Sequence, residues 1–328
     1  MKRLLLLLIP ALVFSQKEVN VPTVGSIKDN AGKTTNLIVI DQRSNTDLGT
    51  LDFKKQSIHF AFAEPTATEF FTNWYKKNNK NPKGTQNLIL LLEDLEFRNE
   101  TEDGKNFLKA DFRASTFVEK DNQYYFVETV NTTLTPGELP NSPNGIAVAV
   151  PLRFSQLIKQ SYSTTPSAKA ISRENLLNYA AIMRAEMPAF TSANLKDGVY
   201  KDYRSFFAQV PDEGYLLVKN KENEVTKAKN GDETLSGWKI YTYVENGKAY
   251  LNTAAGFMEM KLDDKGFYVF SNRGTLSPVQ MDSSYGMFGI VGAGIGAIAT
   301  NEQNKKLQKA DKDNIYVDPL SGGFIYQK

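Results

Sequence analysis

The chain has 328 residues, 41% of them hydrophobic, with no cysteine, one histidine, and 39 basic residues against 37 acidic ones. Without thiols there are no disulfides, thiolate nucleophiles, cysteine zinc sites or lipid-modified cysteine, and one histidine excludes multi-histidine zinc catalysis. A balance this close to neutral supplies no broad basic field, so nucleic acid is not an expected partner.

Lys2 and Arg3 lead into an apolar run over 4–14, and Ser15-Gln16 opens a polar sequence. A basic start, a short apolar stretch and a small residue at its end form a secretory signal peptide. The run falls short of the roughly 20 apolar residues that span a bilayer. Losing Lys2 and Arg3 from the 39 basic residues leaves them equal in number to the 37 acidic ones. The expected organisation is a signal peptide over 1–15, an α+β domain over 16–150 and a helical connection over 151–196. A β-meander module over 197–282 and a glycine-rich segment with its tail over 283–328 follow.

In chain order, Leu37-Ile38-Val39-Ile40 reads as a buried strand ending in Asp41-Gln42-Arg43. Residues 65–77 read as a helix, because Phe70, Phe71, Trp74 and Tyr75 recur at spacings of three and four. Residues 88–97 form a long strand, and 107–118 with 124–134 form two more around a Lys120-Asp121-Asn122 turn. The prolines of 136–144 break the pattern. Helices are expected near 151–162 and 172–187, the second ended by Pro188. The stretch 219–229 carries both signs of charge and reads as a solvated loop. Strands over 238–244, 248–252, 256–262 and 266–270 make an antiparallel meander, its turns at Asn246-Gly247 and Lys265-Gly266 using glycine for positive φ.

Two stretches carry resemblances. Gly198-Val199-Tyr200-Lys201-Asp202-Tyr203-Arg204-Ser205-Phe206-Phe207, then Trp238-Lys239-Ile240-Tyr241, Gly247 to Asn252 and the closing Tyr316-Val317-Asp318-Pro319, resemble a module of uncharacterised exported proteins of Bacteroidota. That resemblance covers roughly 197–328 and implies an envelope location without a known activity. Val39-Ile40-Asp41-Gln42-Arg43 through Leu48-Gly49, a helix and the strand 88–97 are similar to the small α+β domain of YajG-like lipoproteins. Those proteins keep a lipobox cysteine, which this chain lacks, so their anchoring does not carry over.

The candidate sites are few. Gly289, Gly292 and Gly296 fall three and four apart in an apolar stretch, which gives one helical face without side chains and allows close backbone approach. This favours a self-associating or membrane-dipping segment. The same glycines imitate a dinucleotide fingerprint, but too little chain follows for the rest of a nucleotide domain, so no cofactor is expected. Glu93 would join Ile89, Leu91, Leu95 and Phe97 on an apolar face if the strand alternated regularly; a bulge that turns it outward costs less. Asp41 and Arg43 lie on one side of their strand and are expected to form an ordinary surface pair. His59 reads as structural, and Ser236-Gly237-Trp238-Lys239 as a chance match to the serine–lysine acylation motif, which requires a helix. The surplus aromatics of the meander form an exposed surface for a glycan, peptide or partner protein.

The sequence therefore reads as an α+β protein of the periplasm or outer-membrane surface, exported but not a lipoprotein. It is expected to act without catalysis, by binding an envelope protein or by self-association, with peripheral membrane contact as a further mode. No catalytic residue, metal ligand or cofactor is assigned. The alternative is a glycosidase-like hydrolase that works through paired carboxylates. Mass spectrometry of the protein from its native host is expected to show an N-terminus near Gln16; intact Met1 in the cytosol would overturn export.

Overall fold

The computed structural model describes residues 17–102, 105–134, 142–276 and 311–325. The expected signal peptide and the segment holding Gly289, Gly292 and Gly296 lie outside the described residues. The protein is α+β. Its first part comprises β1 (Lys17–Val21), β2 (Thr34–Asp41), β3 (Thr50–Phe53), β4 (Gln56–Phe62), α1 (Ala67–Asn78), β5 (Gln86–Glu102), β6 (Lys105–Lys120), β7 (Gln123–Leu134), α2 (Pro143–Ser163) and β8 (Ala170–Ile171). A five-stranded sheet runs in the order β2-β5-β6-β7-β8, with β2 parallel to β5 and the other pairs antiparallel. A small sheet, β1-β4-β3, stands beside it.

One face of the large sheet packs against α1, α2 and the small sheet. Helix α1 starts where the Thr66 hydroxyl accepts from the Glu69 N–H, and it buries Phe70, Phe71, Trp74 and Tyr75 as its spacing predicts. Each such burial stabilises by roughly 1.5–3 kcal/mol relative to exposure. Helix α2 begins well before the expected 151. Ser142 caps it by accepting from the Gly145 N–H, and Pro143 at the first position needs no donor. Pro151 is buried within the helix, so the burial of Ile146, Val150, Phe154 and Ile158 outweighs one missing backbone bond.

The opposite face is covered by Leu176, Tyr179 and Leu320. The helix expected over 172–187 is broken into a 3₁₀ turn at Leu176–Asn178 and α3 (Tyr179–Ala185), followed by α4 (Pro188–Thr191). The second part comprises β9 (Gly198–Tyr200), α5 (Tyr203–Phe207), β10 (Leu216–Lys219), β11 (Val225–Asn230), β12 (Glu233–Ser236), β13 (Thr242–Glu245), β14 (Lys248–Thr253), β15 (Gly256–Leu262), β16 (Phe267–Ser271), α6 (Arg273–Leu276), β17 (Asp313–Val317) and β18 (Phe324–Ile325). Seven strands form one antiparallel sheet in the order β18-β17-β16-β15-β14-β13-β9. The expected meander is its centre, and the tail strands β17 and β18 extend it. The expected solvated loop over 219–229 is instead largely the β10–β11 hairpin, because Val225 and Ala228 are drawn under the sheet.

Turn chemistry holds where it was legible. Asp121 and Asn122 take φ of 53° and 58°, and Asn246 and Gly247 take 54° and 73°, the left-handed pairs that a two-residue hairpin needs. Gly84 answers a different demand. A Cβ there would lie 2.1 Å from the Lys33 carbonyl carbon, so the two backbones cross too closely for any side chain. Gly84→Ala is expected to destabilise by about 1–3 kcal/mol through overpacking, read as a lower urea midpoint at unchanged m-value.

Candidate functional site

Strand β5 carries a bulge between Leu92 and Asp94, and Glu93 is its extra residue. Leu88, Leu90 and Leu92 face the α1–α2 core before the bulge, and Leu95 and Phe97 face it after. Glu93 stays on the Ile89 and Leu91 side, where that face turns polar. Its carboxylate does not point freely outward. Ser115 donates to Oε2 at 2.7 Å, the Tyr179 hydroxyl donates to both oxygens at 3.0 and 3.2 Å, and Arg113 forms an ion pair at 3.1 Å. The Thr129 hydroxyl completes the cluster at 2.7 Å from Ser115. Burial, and then the nearby Glu93 charge, pushes the Tyr179 phenol up to about 12, so it stays a proton donor at neutral pH. The cluster locks the α3 segment onto the sheet.

Asp41 and Arg43 do pair, through Arg43 Nε to Asp41 Oδ1 at 2.9 Å and Nη2 to Oδ2 at 2.7 Å. The pair is not the expected surface contact. The Arg43 side chain is 3% exposed and its guanidinium lies 5.8 Å from the Phe62 ring centre. The cause is position: Gln42 N–H still bonds Leu92 O, so the chain beyond β2 stays on the sheet and carries Arg43 against aromatic core. His59 sits at the surface, 3.4 Å from Thr50 Oγ1 and 3.7 Å from Asp47. Lys239 lies over the Trp238 ring in a 3₁₀ turn, so the Ser236–Lys239 match has no helix beneath it.

A second carboxylate, Glu128, joins the two parts of the chain and is more enclosed than Glu93. Arg204 at 2.5 Å and Gln160 at 3.0 Å donate to Oε2, and Tyr203 donates to Oε1 at 3.0 Å. Asp111 is likewise engaged by Arg98 and Thr133. Glu93, Glu128 and Asp111 are thus committed to holding the fold. No cluster of three or more metal-ligating side chains occurs among the described residues, and no helix there is long and apolar enough to cross a membrane.

The seven-stranded sheet leaves part of its outer face open among the described residues. On its outer face, Tyr243, Tyr250 and Phe257 lie under the β10–β12 sheet. That cover stops short of the far end. There Tyr268 pairs across to Tyr316 with ring centres 5.7 Å apart, Tyr316 pairs on to Ile325, and Phe270 follows Tyr268 on the same face. Phe270 is 57% exposed and Ile325 41%. Tyr316 is anchored by donating to Asp263 at 2.9 Å. Strand alternation made this surface plausible in the sequence; which aromatics were spared for it depended on where β10–β12 came to rest.

No family model matches the chain, and no curated protein matches it. The crystal structure of protein XCC0632 from Xanthomonas campestris, of the family DUF330, is similar at 12% identity and a TM-score of 0.29, covering 45% of this chain and 91% of that one.

Glu93→Ala would strip an acceptor from Arg113, Ser115 and Tyr179 together. It is expected to cost about 1–3 kcal/mol, with loosened α3 packing visible as faster amide exchange over 176–185.

Proposed function

We propose that the protein is an exported, non-enzymatic component of the cell envelope that acts by binding a partner protein. The observation that carries this reading is the strip of half-buried Tyr268 and Tyr316 with exposed Phe270 and Ile325, on the part of the sheet's outer face that the β10–β12 sheet does not reach. Aromatic side chains contribute large contact area at little entropic cost, and Tyr keeps a polar rim for hydrogen bonds, which suits a protein interface. The strip sits on hydrogen-bonded strands, and Tyr316 is fixed by Asp263, so little ordering is left for binding. Hydrolysis by paired carboxylates has less support. It needs one acid free to deliver a proton and one base free to receive it, and the enclosed carboxylates Glu93, Glu128 and Asp111 are all bonded to donors of the fold.

A photo-crosslinking residue placed at Phe270 in the native host is expected to give a product of defined mass with one envelope protein, absent when the probe sits at Lys229. Phe270→Ser is expected to lower recovery in the envelope fraction without changing the thermal midpoint, since the side chain already meets solvent. Turnover of a glycoside by the purified protein, abolished in Glu93→Gln, would overturn the reading in favour of a hydrolase.

A further inference from the structure

A cleft of about 670 Å³ opens between the 28–34 loop and the loop that follows α1, and its wall chemistry is one-sided. Lys28 stands on one wall and Lys77, Lys80 and Lys83 on the other, with Lys33 and Lys76 flanking. All are exposed, and among the described residues none has an ion-pair partner. Asp29 is the acidic residue of the lining, and both its oxygens are spent on the loop itself. Oδ1 accepts from the Ala31 N–H at 3.1 Å, and Oδ2 accepts from the Thr34 N–H and hydroxyl, each at 2.7 Å.

The negative end of α1 also points toward this region and would ordinarily offset the lysines. It is muffled by side-chain amides. Asn78 donates to Trp74 O at 2.9 Å and Asn79 to Tyr75 O at 3.2 Å. The same two residues staple the opposite wall, because their side-chain oxygens accept from Ile27 and Asp29 N–H at 3.3 and 2.8 Å. At the other end, the Gly84–Lys33 crossing and the Thr35 hydroxyl on Gly84 O at 2.7 Å fix the loops against each other. The walls are therefore set before any ligand arrives.

We infer that this cleft binds a soluble polyanion through its phosphate groups. No arginine lines it, so the cleft offers no planar fork for a single bidentate group but several lysine point charges, which suit an anion carrying many charges, such as a chain of phosphates. Like charges gathered on facing walls repel one another, and an anion between them relieves that repulsion on both sides. A flat membrane would reach only the rims. The volume lies inside the ~300–1,000 Å³ range of small-molecule sites. This site lies on α1 and the 28–34 loop and is independent of the aromatic strip.

Binding of short-chain linear polyphosphate to the full protein, followed by calorimetry at two salt concentrations, tests the inference. Vesicles of phosphatidylglycerol form the second arm. Wild type is expected to bind polyphosphate, less tightly at higher salt, and Lys80→Ala/Lys83→Ala to weaken that binding by roughly tenfold. Lys229→Ala/Lys248→Ala, which removes the same charge from elsewhere on the surface, is expected to leave it unchanged. Thermal midpoints should match throughout, because these lysines make no bonds in the fold. The inference is overturned if wild type ignores polyphosphate, if both double variants weaken binding equally, or if only the vesicles are bound.

Discussion

One inserted residue holds the first core together. Strand β5 runs through 17 residues, and without its bulge a strict two-residue period would send Leu95 and Phe97 away from the helices that cover Leu88, Leu90 and Leu92. Glu93 absorbs the slip. The cost is a carboxylate on a half-buried face, and Arg113, Ser115 and Tyr179 offset it. Tyr179 is part of the same bargain, since its ring packs with Phe117 and Phe126 while its hydroxyl serves Glu93. The bulge thus decides both which residues make the α1–α2 core and what can close the sheet's other side.

Much of the fold was legible because local and global preferences agree there. The α1 aromatics, the strands from 88 to 134 and the Asn246-Gly247 hairpin each carry a period or a turn signal that tertiary packing merely confirms. Disagreements fall where packing overrides composition. The mixed charges of 219–229 made it look solvated, yet Val225 and Ala228, three apart and set on one side by a bulge between them, suffice to pin a strand. Trp238 promised a strand start and instead sits 55% exposed in a 3₁₀ turn that begins at Gly237, where the backbone lies against Thr226 O too closely for a side chain. The Asp41–Arg43 pairing was readable from its spacing; its burial was not, since Phe62 arrives from another strand. The partners of Glu93 come from β6 and α3, and no local pattern links them.

The near-neutral formal charge conceals a partition. Four of the acids that the fold encloses are matched by arginine: Asp41 with Arg43, Glu93 with Arg113, Asp111 with Arg98, and Glu128 with Arg204. Breaking any of these leaves a partner short of water and counter-charge, which is why enclosed pairs are costly to lose even when their net contribution is small. The lysines around 28–33 and 76–83 follow the opposite rule, gathering without counter-ions where solvent reaches them. Counting charges over the whole chain averages these two populations to almost nothing.

What the aromatic strip and the lysine cleft share is the manner of their support. Tyr268 and Tyr316 sit on paired strands, and Asp263 fixes the outer hydroxyl. The cleft walls rest on Asn78, Asn79 and Asp29, short side chains bonded to backbone rather than long ones that must be ordered on binding. Association costs rotamer and loop entropy wherever the free surface is loose. Here that cost has been met during folding, so the flexible lysine heads and the exposed Phe270 ring are what a ligand still has to immobilise. Glu128 extends the same economy to the whole molecule, because Arg204 and Tyr203 reach it from the second part while Gln160 reaches it from α2. A change at Glu128 would therefore loosen the second part from β7 and α2 at once.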